Sequence, residues 1–193
     1  MKQQPGFAAA VLAGGQSKRM GTDKAFLTHQ QTQRPYWQHQ QALLQSLQPS
    51  RVIISANADQ DFKEADIVRD THDRVGPLGG LLACLESMHE SLLLVLAVDM
   101  IAMTTTPLQT LLDGCQDRQG AVYRDDGFFQ PTAAVYPLAA LDQVRAFQES
   151  GKRRLQDLLQ QLVEADFMKV LPLPGNQRGA FANVNAPQDL THA

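Results

Sequence analysis

Short runs of apolar residues recur along the first half of the chain. They occupy residues 7–13, 51–55 and 92–98, and a weaker run covers residues 65–69. Runs of this length without regularly alternating polar positions are typical of parallel strands that other elements cover on both faces. The pattern therefore predicts four parallel strands in the first half.

Between these runs, apolar residues recur at helical spacing. In residues 37–47 and 78–89 the leucines fall on one side of a helix. Strands that alternate with helices are the pattern of an α/β fold. We therefore expect a mostly parallel sheet with helices on both of its faces.

The second half of the chain has a less regular pattern. A turn at Gly127-Phe128-Phe129 separates two short apolar segments, which predicts one antiparallel strand in the sheet. The predicted elements of this half are helices at 107–115, 137–149 and 152–163 and strands near 121–123, 132–136 and 167–171.

Length, charge and cysteine content narrow the class of protein. The chain has 193 residues, 44% of them hydrophobic, which is enough for one core and predicts one domain, 1–193. Its net charge of -3 does not favour binding to nucleic acid or to an acidic membrane surface, and no run approaches the ~18 apolar residues of a membrane span. Cys84 and Cys115 lie outside any CxxC arrangement, which argues against a disulfide framework and predicts a cytoplasmic location.

The segment after the first predicted strand carries the candidate chemistry. It reads Leu12-Ala-Gly-Gly-Gln-Ser-Lys-Arg-Met-Gly-Thr-Asp-Lys24. Ligands of such sheets bind outside the carboxyl ends of the strands, where Gly14 and Gly15 let backbone amides approach a phosphate. Arg19 and Lys24 add cationic side chains. The GxxxxGK[ST] and GxGxxG spacings are absent, so we predict a different phosphate loop; the alternative is an ordinary turn with solvated basic residues.

The same segment resembles the signature of the molybdenum cofactor guanylyltransferases, within the wider nucleotidyltransferase family. Further stretches are similar to that family in the same order, so the resemblance covers nearly the whole chain. These stretches are Gly76-Pro-Leu-Gly-Gly80, Val98-Asp-Met100, Gln130-Pro131, Gly151-Lys-Arg-Arg-Leu155 and Phe181-Ala-Asn-Val-Asn-Ala-Pro-Gln-Asp-Leu190.

The resemblance implies a fold, an activity and partners. The implied fold is a Rossmann-like, nucleotide-diphospho-sugar transferase-like domain that binds nucleotide over its first half and the acceptor over its second. The implied reaction transfers GMP from GTP to the terminal phosphate of metal-loaded molybdopterin and releases pyrophosphate. Mg²⁺ is the implied cofactor, and transient contact with molybdoenzymes or other cofactor-biosynthesis proteins is implied as well. The implied catalytic residues are Arg19, Lys24 and Asp99.

Asp99 closes the most apolar run of the sequence. Burial disfavours a lone carboxylate, so a cation must compensate its charge. Mg²⁺ is the expected cation because it prefers one or two carboxylates together with phosphate oxygens. The alternative is that Asp99 caps the next helix. The family often reads Cys-Asp-x-Pro where this chain reads Val98-Asp-Met-Ile101, which predicts a different loop shape after Asp99.

Two further polar residues follow predicted strands and are expected at the same sheet edge. Asn57 follows the second strand and Asp70 the third. A carboxylate can accept hydrogen bonds from guanine N1–H and from its amino group, which makes Asp70 a candidate for base recognition, with Asp73 as its rival. The alternative that Asn57 is only an ordinary turn residue stays open. The nucleotide-binding residues are predicted to be Leu12, Ala13, Gly14, Gly15, Lys24, Asn57, Asp70 and Asp99.

The second half offers candidate contacts for the acceptor. Basic residues at this density usually form a solvated surface, but their place in the family's Gly-x-x-x-Leu stretch makes them candidates for gripping a phosphate. The candidates are Lys152, Arg153, Arg154, Asn183 and Asn185.

The sequence is compatible with two other classes of function. One is a related nucleotidyltransferase, acting with CTP on the same cofactor or on a sugar 1-phosphate. Cytidylyl relatives usually read Ala-Ala-Gly and lack the aspartate before Lys24, so Asp23 favours guanylyl transfer. The other class is a nucleotide-binding protein without turnover, against which the joint presence of Arg19, Lys24 and Asp99 argues.

Overall fold

The computed structural model of the protein describes residues 6–14, 23–70 and 76–184. Within these ranges the chain forms one mixed sheet with helices on both faces, as predicted. The strands are β1 Phe7–Leu12, β2 Val52–Ala56, β3 Asp66–Arg69, β4 Leu92–Ala97, β5 Gly120–Asp125, β6 Phe128–Pro137 and β7 Met168–Pro172. The α-helices are α1 Tyr36–Gln45, α2 Pro77–Ser87, α3 Thr105–Gly114, α4 Leu141–Glu149 and α5 Leu155–Glu164, and short 3-10 helices cover Lys24–Phe26, Leu138–Ala140 and Gly175–Phe181.

The order of strands in the sheet is β3-β2-β1-β4-β6-β5-β7. The first four pair in parallel, and β6 runs antiparallel to both β4 and β5, which confirms the predicted antiparallel strand. The sequence pattern places the turn before β6 too late in the chain, at Gly127-Phe128-Phe129. Asp126 and Gly127, both at positive φ, reverse the chain, so Phe128 and Phe129 already belong to the strand.

Strand β1 explains why its sequence shows an unbroken apolar run. All six residues are buried, and their side chains enter two different cores. Ala9 and Val11 pack on the side of α1 and α3, whereas Ala8 and Ala10 pack on the side of α2, α4 and α5. Small side chains on both faces allow the helices to approach the sheet closely.

Two helices begin later than their sequence pattern predicts. Pro137 is the last residue of β6 and pairs with Leu92, so the chain passes through Leu138–Ala140 before α4 begins. Residues 152–154 stay outside α5, which begins at Leu155. Periodicity does not separate these residues from the α-helices that follow them, because three or four residues are too few to show a period of their own. No helix in the described ranges is long and apolar enough to cross a membrane.

Candidate active site

The carboxyl ends of β1, β2, β3 and β4 meet at one edge of the sheet. A cleft of about 260 Å³ opens at this edge. Its lining draws on the segments after β1, β3 and β4, on the first turn of α2 and on β6. The predicted site residues in this lining are Leu12, Ala13, Gly14, Lys24, Asp70, Asp99 and Asn183.

Lys24 and Asp99 form an ion pair inside the cleft. The distance from Lys24 Nζ to Asp99 Oδ2 is 3.0 Å, and the two side chains are only 15% and 19% exposed. The chain itself thus supplies a cation that compensates the Asp99 carboxylate at the end of β4. Thr104 is the residue at the N-cap position of α3, five residues after Asp99, so the alternative of Asp99 as its cap is wrong.

Lys24 is held in place by the residue before it. Asp23 Oδ1 accepts a hydrogen bond of 3.0 Å from the backbone N–H of Ala25, which caps the 3-10 helix on which Lys24 lies. Asp23 Oδ2 accepts a hydrogen bond of 2.6 Å from Gln60 Nε2. The sequence contains no pattern that singles out Gln60, a lone glutamine in a polar turn.

Asn57 lies beside the Gly14 backbone. A Cβ atom at Gly14 would stand 2.9 Å from Asn57 Oδ1, so a larger residue at this position would displace the Asn57 side chain. The turn that carries Asn57 is held by Arg69, whose Nη1 donates to the carbonyl oxygens of Asn57, Ala58 and Gln60. Asn57 is therefore more than an ordinary exposed turn residue, although its side chain does not line the cleft.

Asp70 lies against the first turn of α2. Its backbone N–H donates to the carbonyl oxygen of Ala56, and its carboxylate fills the space that a Cβ atom on Gly79 would need. The next residue, Gly80, approaches Ser55 Oγ equally closely. The glycines of this turn bring a helix N-terminus to the cleft, a role that the spacing of Gly76-Pro-Leu-Gly-Gly80 does not reveal.

The contact between Gly79 and Asp70 yields a testable prediction. Inside a helix, alanine is more favourable than glycine by about 1 kcal/mol, so helix propensity by itself predicts that Gly79→Ala stabilises α2. Because the added Cβ overlaps the Asp70 carboxylate, we expect the carboxylate to move and nucleotide affinity to fall about tenfold. Calorimetric titration measures this, with Gly175→Ala as the control because nothing lies within 4 Å of a Cβ there. Unchanged affinity in Gly79→Ala would remove Asp70 from the nucleotide site.

The second half of the chain contributes the far wall of the cleft. Thr132 of β6 and Asn183 both line it, and Thr132 was not predicted. The backbone N–H of Val184 donates to the carbonyl oxygen of Asp99 at 3.0 Å, which joins the segment carrying Asn183 to the turn after β4. The predicted acceptor contact Asn185 lies outside the described residues, as do Gly15, Arg19 and Asp73.

The basic cluster Lys152, Arg153 and Arg154 is exposed just before α5 and does not line the cleft. The Gln156 side chain accepts from the N–H of Phe129 at 2.9 Å and donates to its carbonyl oxygen at 2.8 Å. These bonds anchor the start of α5 to the start of β6. The cluster therefore lies at the same edge of the sheet as the cleft.

The loop after Asp99 packs into the protein through apolar side chains. Met100 and Ile101 are buried, and the Gln40 side chain donates to the carbonyl oxygen of Met100 at 2.7 Å. This chain thus holds the turn by burial and by a helix α1 side chain, at the positions where its sequence departs from the family pattern.

The thiols do not offer a nucleophile. Burial raises the pKa of Cys84 to about 12 and that of Cys115 to about 12, so both stay protonated at neutral pH. In the described ranges no group of three or more His, Cys, Asp or Glu side chains is arranged to hold a metal ion. Neither thiol lines the cleft, so neither offers a nucleophile there.

Comparison with known proteins gives consistent matches over the whole chain. The model of the MobA-like NTP transferase domain matches residues 9–165. A protein of Opitutus terrae named as a probable molybdenum cofactor guanylyltransferase is 35% identical over 94% of this chain and 92% of its own. A molybdenum cofactor guanylyltransferase of Xanthomonas euvesicatoria is 30% identical over 97% of this chain and 94% of its own.

A solved structure has the same fold at low sequence identity. It is the molybdopterin-guanine dinucleotide biosynthesis protein A of Archaeoglobus fulgidus, with a TM-score of 0.73 and 22% identity over 96% of this chain and 95% of that one. The domain model and the two sequence relatives extend across both halves of the sheet. This chain belongs to the MobA-like NTP transferase family.

Proposed function

We propose that this protein is a nucleotidyltransferase that transfers GMP from GTP to the terminal phosphate of molybdenum-loaded molybdopterin. The observation that carries the proposal is the partly buried Lys24–Asp99 pair beside Gly14, at the carboxyl edge of the parallel strands. The names of the full-length relatives support guanylyl transfer. The scarcity of cysteine and the phosphorylated substrates support a cytoplasmic location, and transient contact with molybdoenzymes follows from the product.

In the proposed reaction an oxygen of the acceptor phosphate attacks the α-phosphorus of GTP. One P–O bond forms, the bond to the β-phosphate breaks, and pyrophosphate leaves with its electron pair. The attacking oxygen is already ionised, so the protein has to align the reactants and neutralise charge rather than remove a proton.

The nucleotide would lie over β1 to β4. The backbone of Leu12, Ala13 and Gly14 offers hydrogen-bonding groups without interfering side chains. The Asp70 carboxylate, against the first turn of α2, would accept from guanine N1–H and its amino group. Asn57 would keep the Gly14 backbone in place from beneath.

Lys24 would turn from Asp99 towards the triphosphate when GTP binds. Its ammonium group and Arg19 oppose the negative charge that builds up on the leaving pyrophosphate. Asp99 would then hold Mg²⁺, for which a single carboxylate completed by phosphate oxygens and water is a usual ligand set. When bound, Mg²⁺ supplies further neutralisation of phosphate charge.

The acceptor would lie over the second half of the sheet. Thr132 and Asn183 offer polar groups in the cleft wall, with Asn185 two residues farther along the chain. Lys152, Arg153 and Arg154 lie outside the cleft lining at the same edge of the sheet, so we expect their positive charge to attract the phosphorylated acceptor while its phosphate reaches the α-phosphorus inside the cleft.

Base preference tests the assignment directly. We expect GTP to bind more tightly than CTP or ATP, because each buried group left unpaired by the wrong base costs about 1–3 kcal/mol. Titration calorimetry with each triphosphate and Mg²⁺ measures the preference. Incubation with molybdopterin followed by mass spectrometry should detect only the guanine dinucleotide. Equal affinity for CTP and GTP would reject the guanylyl assignment and favour cytidylyl transfer.

A further inference from the structure

Gln60 is a buried polar residue whose side chain joins three separate segments. It is 7% exposed. Its Nε2 donates to the carbonyl oxygen of Ala13 at 3.0 Å and to Asp23 Oδ2 at 2.6 Å. Its Oε1 accepts from the backbone N–H of Asn57 at 2.8 Å. Both donor hydrogens of the amide are therefore used, together with its acceptor.

The three segments that Gln60 joins all belong to the nucleotide side of the cleft. Ala13 precedes Gly14, and Asn57 packs against that glycine. Asp23 caps the 3-10 helix that begins with Lys24, and Lys24 in turn contacts Asp99. Hydrogen bonds thus lead from the Gln60 amide through the Asp23 cap to the 3-10 helix whose first residue is Lys24.

Only an amide fits this position. A leucine of similar volume would leave the Ala13 carbonyl and the Asp23 carboxylate without their donor. A glutamate would place a second carboxylate at hydrogen-bond distance from Asp23, where the like charges repel. The Asp23 carboxylate is then free to leave the orientation in which it caps the Lys24 helix.

We propose that Gln60 is a positioning residue for nucleotidyl transfer, which orients Lys24 through Asp23. The proposal rests on the role of Lys24 in the proposed function. If Gln60 only stabilised the fold, Gln60→Leu would lower the free energy of unfolding, and its effect on kcat would be the same with and without Lys24. A positioning role makes the effect of Gln60 depend on the presence of Lys24.

The chain offers a control with the same two kinds of donated hydrogen bond, in a less buried position at the opposite edge of the sheet. Gln119 Nε2 donates to the carbonyl oxygen of Asp166 at 3.2 Å and to its Oδ1 at 2.7 Å. It therefore binds a carbonyl oxygen and a carboxylate, as Gln60 does. Gln119 immediately precedes β5, far from the carboxyl ends that form the cleft. Gln119→Leu removes the same kinds of hydrogen bond without touching the site.

A double-mutant cycle tests the coupling. We expect Gln60→Leu to lower kcat for pyrophosphate release about 10-fold to 100-fold, since small displacements of a charged group have effects of this size. In the Lys24→Ala background the same change should lower the residual kcat by no more than about twofold. Gln119→Leu should leave kcat within about twofold in either background. Equal losses from Gln60→Leu in both backgrounds would overturn the proposal.

A second measurement needs no substrate. Hydrogen–deuterium exchange should become faster for residues 24–27 in Gln60→Leu and stay unchanged in Gln119→Leu, because the Asp23 cap on the Ala25 N–H is loosened. Unchanged exchange in Gln60→Leu would reject the positioning role whatever the reaction. A wild-type protein that releases no pyrophosphate from any triphosphate would instead reject the proposed function, while faster exchange in Gln60→Leu would still show that Gln60 holds the Lys24 helix in place.

A pair of substitutions that reverses donor and acceptor in the hydrogen bond between Gln60 and Asp23 should restore kcat. Gln60→Glu alone should lower kcat at least as much as Gln60→Leu because of the facing carboxylates. Adding Asp23→Asn supplies a donor to the new carboxylate and keeps an oxygen for the Ala25 N–H. We expect the double variant to regain about tenfold of the loss. A double variant no better than Gln60→Glu would show that this hydrogen bond does not orient Lys24.

Discussion

Asp99→Asn is expected to lower guanylyl transfer about 10³-fold while leaving the protein folded. The substitution keeps the shape of the side chain but removes the charge that faces Lys24 at 3.0 Å and that would hold Mg²⁺. Loss of a carboxylate weakens metal binding far more than it disturbs packing. Initial rates of pyrophosphate release over a range of Mg²⁺ concentrations measure the effect.

The free energy of unfolding shows whether Asp99→Asn loses activity because its chemistry is impaired or because the protein unfolds. Asp99 is 19% exposed and its partner Lys24 is 15% exposed, so the cost of removing the charge lies between those of an exposed and a fully buried pair, and we expect the free energy of unfolding to fall by about 1–3 kcal/mol. Asp66→Asn is the matched control because Asp66 also pairs with a cation, Arg51, but lies at the amino end of β3. That variant should keep full activity and lose about 0–1 kcal/mol. Full Mg²⁺-dependent turnover in Asp99→Asn would reject the metal assignment.

Lys24→Ala is expected to reduce kcat about 100-fold and GTP affinity much less. In the absence of nucleotide, Lys24 already has a carboxylate partner in Asp99, so moving it to the triphosphate yields little net binding energy. Its charge becomes more valuable as negative charge develops on the leaving pyrophosphate. Steady-state kinetics together with titration calorimetry separate the two quantities.

Lys63→Ala is the control for this experiment, because Lys63 is an exposed lysine in the loop between β2 and β3. It should leave both kcat and GTP affinity unchanged. If Lys24→Ala lowers affinity and turnover equally, Lys24 grips the ground state and transition state alike. If it changes neither, Lys24 takes no part in binding or turnover and its ion pair with Asp99 is structural only.

The hydrophobic pattern was sufficient to predict the architecture. Strands β1 and β4 are buried on both faces, so every position is apolar and the run reports the strand directly. The same reasoning located Gly14, Asp70 and Asp99, because residues that follow parallel strands must arrive at one edge of the sheet. Motifs resembling a known family then indicated the chemistry, and the family match bears out that resemblance.

The sequence by itself determined the α/β fold, its antiparallel strand and the family, since these depend on local periodicity and on contiguous motifs. Only the tertiary structure decided that Lys24 compensates Asp99, that Gln60 joins Ala13 to Asp23, and that Thr132 faces the nucleotide side across the cleft. Lys24 and Asp99 are 75 positions apart in the chain, and Ala13 and Gln60 are 47 positions apart. Periodicity records how buried a position is but not which distant side chain meets it, and that pairing is set by how the elements pack.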